Sequence, residues 1–186
     1  MHGSAALSAR SRPTDVDGAP GSARIAALVA REAPRVLDYL LRRVASPEDA
    51  ADLLGETLVV VWRREGAVPL DPTEARMWMF GVARKVLSQH RRSVRRSRSL
   101  GERLALEVRE AIVQAPADDF EELRAAIETL REGDREIIRL VYWDGFTLAE
   151  AARLLGLNAA TVRSRHARAR ATLQAQLAET LSDVPR

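Results

Sequence analysis

The sequence predicts an all-α protein: two small helical domains joined by a linker, the second a helix-turn-helix of the winged-helix-like kind. Three observations carry this. Hydrophobic residues make up 46% of the 186 but aromatics only 4%, with Ala, Leu, Val and Arg dominant. Ala, Leu and Arg lose little on entering a helix, and β-branched runs are scarce. Apolar residues recur at helical spacing in two blocks, residues 23–98 and 118–182, and the period weakens over 99–117.

Residues 1–22 are rich in Ser, Ala, Gly and Pro without an apolar period, and are expected to be a disordered tail. From Arg24 the chain turns helical: Ile25, Leu28 and Val29 lead to Val36, Leu37, Leu40, Leu41 and Val44, with a break or kink expected at Pro34. Ser46-Pro47-Glu48-Asp49 starts the next helix, with a capping Ser, Pro at the first position and acids at the positive end of the dipole. That helix, AADLLGETLVVVWRR, is apolar on more than one face. Leu54, Leu58, Val61 and Trp62 form one stripe. Leu53, Thr57 and Val60 lie toward another side, with Asp52 and Glu56 between. Two readings stay open here: a plain core helix, or a core helix that also presents a partner-binding face.

Residues 66–73 (GAVPLDPT) are expected to be a loop, and a helix follows over Glu74–Arg98. Trp78, Met79, Phe80, Val82, Ala83, Val86 and Leu87 give its broad apolar side. Arg84, Lys85, Ser88, Arg91 and Arg92 lie opposite. From Arg84 to Arg98 there are seven Lys/Arg and no acid, although the whole chain carries a net charge of only +3. Such a block suits a phosphate backbone; the alternative is a solvated basic helix end. Trp78 and Phe80 could stack on unpaired bases, and for Phe80 the core is favoured. Residues 99–117 read as a linker with transient helicity.

The second block places Phe120, Leu123, Ala126, Ile127 and Leu130 on one helix. Ile137, Ile138, Leu140, Val141 and Tyr142 lie on the next, entered at Asp134 and closed at Asp144-Gly145. Then comes TLAEAARLLGLNAATVRSRHARARATL, residues 147–173. Thr147 and Glu150 form a capping box, and Leu148, Ala151, Ala152 and Leu155 share a face. Gly156 suits a left-handed cap and Asn158 caps the last helix. On that helix Val162, His166, Ala169 and Leu173 form an apolar back. Arg163, Ser164, Ala167 and Arg168 form the front, flanked by Thr161, Arg165 and Arg170. An Arg/Ser front behind a glycine turn is what a recognition helix in a major groove needs; the plainer reading is a helical hairpin with solvated arginines.

Enzyme chemistry has little to stand on. His2, His90 and His166 have no metal-ligand spacing, and there is no Gly-rich phosphate loop, nucleophile elbow or evident carboxylate pair. The expectation is no enzyme, no catalytic residue, no metal and no cofactor. Cysteine is absent, which excludes disulfides and thiolate sites within this chain. No apolar run approaches a membrane span and no signal-peptide core is evident, so the expected compartment is the cytoplasm, without membrane insertion.

At these motifs the chain resembles the extracytoplasmic-function (ECF) group of the sigma-70 family of bacterial transcription initiation factors, over about residues 23–182. AADLLGETLVVVWRR is similar to region 2.2, which docks on the β′ clamp helices of RNA polymerase. ARMWMFGVARKVLSQHRRSVRR resembles regions 2.3 and 2.4, which open the −10 promoter element and read it as a single strand. The stretch from Ile127 to Leu173 resembles region 4, whose helix-turn-helix reads the −35 element as duplex. The resemblance implies core RNA polymerase (β′ clamp helices and β flap) and promoter DNA as partners, with an anti-sigma protein as a further partner that no residue here shows. It implies core-polymerase contacts at Asp52, Leu53, Glu56, Thr57 and Val60. Contacts to −10 fall on Trp78, Arg84, Lys85, Arg91, Arg92, Arg95 and Arg96, and contacts to −35 on Thr161, Arg163, Ser164, Arg165, Arg168 and Arg170. The chain departs from the usual pattern at Gly55, where Gln is common, at Lys85 and Gln89, where Asn and Asp are common, at Arg131, often Pro, and at Ala160, often Gly. The competing function is a free-standing dimeric helix-turn-helix regulator, which accounts for 147–173 but not for the apolar 50–62 helix or the basic block. A module that sequesters another factor is a third reading.

Overall fold

The protein is described here from a computed structural model, which covers residues 20–101 and 121–182. Among these residues there are seven α-helices and no strand: α1 Pro20–Leu41, α2 Pro47–Arg63, α3 Pro72–Gly101, α4 Glu121–Thr129, α5 Glu132–Tyr142, α6 Leu148–Leu155 and α7 Ala159–Ser182. Residues 1–19 of the expected tail, most of the expected linker and Phe120 lie outside them, whereas residues 20–22, expected in the tail, begin α1. The helix-turn-helix therefore has no β-wing among the described residues.

Local chemistry sets most helix ends. Ser46 accepts from the Asp49 amide at 3.0 Å, ahead of Pro47 at the first turn of α2. Asp71 does the same for the Glu74 amide at 2.9 Å, so α3 starts at Pro72, inside the expected loop. The rest of that connection holds a short 3₁₀ turn, Glu65–Ala67. The capping box at α6 is complete, with Thr147 and Glu150 bonded in both directions. The helix stops at Gly156, whose φ of 66° is left-handed. Asn158 accepts from the Ala160 amide at 2.7 Å to open α7. Of the break or kink expected at Pro34 the break does not occur: α1 runs on through it.

Helices α1, α2 and α3 form the first bundle. Ala50, Leu53, Thr57 and Val61 of α2 are buried in it, and Leu54 and Leu58 pack at its edge. Trp62, expected in the core stripe, is 42% exposed. The period of an all-round apolar helix does not say which face is inside, and here the packing of α1 and α3 chooses it. In the second bundle α4, α5 and α7 enclose Ala126, Ile127, Leu130, Ile138, Ala169 and Leu173.

The two bundles share one continuous core. Phe80 on α3 meets Tyr39 of α1 edge-on, with centroids 5.5 Å apart, and Phe146 of the α5–α6 turn at 4.9 Å. Each such aromatic pair contributes about 0.5–1.5 kcal/mol beyond its area. Ile137, Leu140, Ala151, Ala152, Leu154 and Val162 join the same cluster from the second bundle. Beside it lies a buried ionic cluster. The Asp144 carboxylate accepts from Arg42 at 2.6 Å and from Arg43 at 2.7 Å, and the Asp144 and Arg43 side chains are both fully buried. Arg43 also meets Glu136 at 3.0 Å and donates to the Tyr39 carbonyl at 2.8 Å. Arg76 donates to the Asp144 carbonyl, stacks 4.4 Å over Phe146 and approaches buried Glu32 at 3.7 Å.

Burial works against the Arg43 charge, but Glu136, Tyr39 and Asp144 outweigh it and hold its pKa above the ordinary value. Asp144→Ala removes the carboxylate that Arg42 and Arg43 share at this junction. It should lower stability by about 3–5 kcal/mol, the cost of breaking one side of a buried ion pair, read as a drop in the urea midpoint.

Candidate nucleic-acid interface

The front of α7 is built by its back. Val162, Ala169 and Leu173 are buried and His166 stacks on Tyr142 with centroids 5.8 Å apart. Burial, and then the charge of Arg170, lower the His166 pKa. This anchoring turns Thr161, Arg163, Ser164, Ala167 and Arg170 to solvent. Arg163 and Arg170 make no ion pair with a described residue. Exposed cations beside a hydroxyl on a rigid helix are the chemistry that reads base edges and phosphates.

Two of the expected contacts are placed differently. Arg168 reaches back to buried Asp134 on α5, donating from Nε at 3.1 Å and from Nη2 at 2.7 and 2.9 Å. Asp134, expected only to open α5, is therefore the residue that fixes this arginine. Arg165 is half-buried and faces a cleft between the bundles, its Nη1 only 3.1 Å from where a β-carbon on Gly133 would stand.

On α3 the basic side divides in two. Arg84, Arg91, Arg92 and Arg95 line the same cleft as Arg165, whereas Lys85 is exposed outside it. Arg96 is exposed. Arg91 is tied down, pairing with Glu132 at 3.3 Å and donating to the Arg43 carbonyl at 3.2 Å. Trp78 is half-buried against the core and Phe80 is wholly inside it, so the base-stacking alternative fails for Phe80.

The expected docking face on α2 needs the largest correction. Leu53 and Thr57 point inward, with 2% and 0% exposure, and the Thr57 hydroxyl donates to the Leu53 carbonyl at 2.7 Å. They lie on the arc taken by α1 and α3 and are not available to a partner. The outward arc consists of Asp52, Gly55, Glu56, Val59 and Arg63, within about 100° at the helical step, with Val60 just beyond its edge. Val59 is 48% exposed, an apolar residue the sequence reading did not select. Its signal was present: it shares a face with Asp52 and Glu56 at i+7 and i+3. A β-carbon added to Gly55 meets nothing within 4 Å.

Residues 28–97 match the family "Sigma-70 region 2" and residues 120–173 match "Sigma-70, region 4". A probable RNA polymerase sigma factor, RfaY, of Xanthomonas campestris pv. campestris is 33% identical over 74% of this chain, a match spanning 36% of that protein's length. The ECF RNA polymerase sigma factor SigL of Mycobacterium tuberculosis is 29% identical over 68% of this chain and 73% of its own. Among solved structures, the sigma factor RpoE bound to the anti-sigma factor NepR from Bartonella quintana superposes with a TM-score of 0.67 at 22% identity. It covers 83% of this chain and 96% of that one. CnrH, solved with the cytosolic domain of CnrY, gives 0.60 at 25% identity over 88% and 91%. No helix among the described residues is long and apolar enough to cross a membrane.

Two outcomes follow from the placement of these side chains. Arg168→Ala leaves a buried carboxylate without its partner, so it should lower stability by about 1–3 kcal/mol, read by thermal unfolding of the variant before any DNA assay. Gly55→Gln enters open space in a helix interior and should raise stability by up to about 1 kcal/mol in the same measurement.

Proposed function

Since this chain belongs to the ECF group of the sigma-70 family and is a sigma factor for transcription initiation, we propose that it binds core RNA polymerase, recognises −35 and −10 promoter elements and promotes DNA opening. The observation that carries this is the order of three surfaces along one chain. A mixed acidic and apolar arc on α2 comes first, then an arginine-lined side of α3, then an Arg/Ser front on α7. A dimeric regulator needs only the last.

In this reading the α2 arc of Asp52, Glu56, Val59 and Val60 docks on the β′ clamp helices, and the second domain engages the β flap. Domain boundaries follow the residues already given: a region 2-like unit to about residue 98 and a region 4-like unit from 118 to 182. Arg163 and Ser164 meet base edges at −35, with Thr161 and Arg170 on neighbouring phosphates. Arg168 orients the helix through Asp134 instead of reading bases itself. Arg84, Lys85, Arg92, Arg95 and Arg96 follow the −10 strand and Trp78 borders an extruded base. Unstacking costs a few kcal/mol, which these contacts must offset.

The closed packing of the two bundles bears on how this works. Elements 25 positions apart lie roughly 85 Å from each other along B-DNA. A compact chain of this length has a radius of gyration of about 16 Å. The two units must separate to hold both elements, and polymerase docking would supply the free energy to part the Asp144 junction. An anti-sigma protein is a further partner in this reading, supported by the anti-sigma complexes among the structural neighbours.

The experiment is reconstitution with core enzyme, followed by run-off transcription from selected templates. Co-elution with core and a defined start site are expected; absence of both on every selected template sinks the proposal. Arg163→Ala should weaken −35-dependent binding by about tenfold, the scale of one bidentate base contact, and leave core binding as it was.

A further inference from the structure

Between the two bundles lies an open cleft of about 810 Å³, lined by nine arginines and only three glutamates. Some of these arginines are neutralised: Asp144 and Glu136 close on Arg43, and Glu128 serves both Arg135 and Arg139. Others are not. Among the described residues Arg84, Arg92 and Arg95 of α3 and Arg165 of α7 form no ion pair, although all four line the cleft. They come from both sides of the domain junction, so their convergence exists only while the bundles are together.

Like charges gathered in a part-enclosed space repel. A ligand carrying several negative charges would relieve this repulsion. Guanidinium groups present paired donors that match phosphate oxygens, and the volume falls in the range of small-molecule sites.

We infer that this cleft is a binding site for a small polyphosphate anion, bridging α3 of the first bundle and α7 of the second. The shared chemistry is a chain of phosphates, either inorganic or carried by a nucleotide. Because the ligand needs arginines from both bundles, it binds the closed arrangement and stabilises it by mass action. The site uses some α3 arginines also assigned to the −10 strand, but it requires Arg165 as well, and its test involves neither polymerase nor DNA.

The test is calorimetric titration of the full chain with inorganic tripolyphosphate and, separately, with ATP, at fixed salt and with sulfate as control. One site per chain is expected. Arg165→Ala and Arg95→Ala should each weaken it about tenfold or more, the loss of one charge-assisted pair. Arg64→Ala, an exposed arginine just past the end of α2 and outside the cleft, should bind as the parent does. Thermal melts check folding of each variant, and tripolyphosphate at one fixed concentration should raise Tm clearly less in Arg165→Ala than in the parent. Equal affinity for both probes assigns the site to phosphates alone; tighter ATP adds a nucleoside contact. Absence of binding, several weak equivalent sites, or parental affinity in Arg165→Ala overturns the inference.

Discussion

The arrangement of this protein depends on one carboxylate. Asp144 sits in the turn between α5 and α6 and is buried between Arg42 and Arg43, at the end of α1. Its position is set by its neighbours in sequence. Gly145 takes a left-handed φ of 68°, which lets the chain reverse and drives Phe146 against Phe80 while Asp144 faces the arginines. An ion pair removed from water loses hydration on both sides, so it holds only where geometry and further hydrogen bonds compensate. Glu136, the Tyr39 carbonyl and Arg76 supply those bonds. The result is a junction that is specific in register: a shifted α5–α6 turn would take the Asp144 carboxylate from half-buried Arg42 and from fully buried Arg43.

This junction also explains why the chain's arginines divide into different roles. Arg43, Arg76 and Arg168 hold structure together, each against a buried acid or backbone carbonyl. Arg163 and Arg170 are presented to solvent by an anchored helix. Arg84, Arg92, Arg95 and Arg165 gather where the two bundles meet. A basic surface that is continuous in the closed form becomes two separate surfaces once the junction opens. In the proposed reading the same side chains would serve different anions in the two states, and ligand binding would be coupled to separation of the domains at the junction.

The sequence by itself determined most of the helices and several of their ends, because these rest on interactions three or four residues long. Ser46, Thr147 with Glu150, Gly156 and Asn158 all act within one turn, and the apolar back of α7 follows from spacing alone. The all-α class and the exposed Arg163/Ser164 front were legible for the same reason. Only the tertiary structure decided which face of α2 is inside, since a helix apolar all round has no preferred side until α1 and α3 pack against it; Leu53 and Thr57 went inward and Val59 outward. It alone decided the partners of the arginines, because a cation's role depends on which carboxylate folds onto it from far along the chain, 34 residues away for Arg168 and about a hundred for Arg43. One clue was readable in advance. Glu32 and Arg43 fall on the apolar stripe of Ile25, Leu28, Val36 and Leu40, where a charge is buried only if a distant partner meets it.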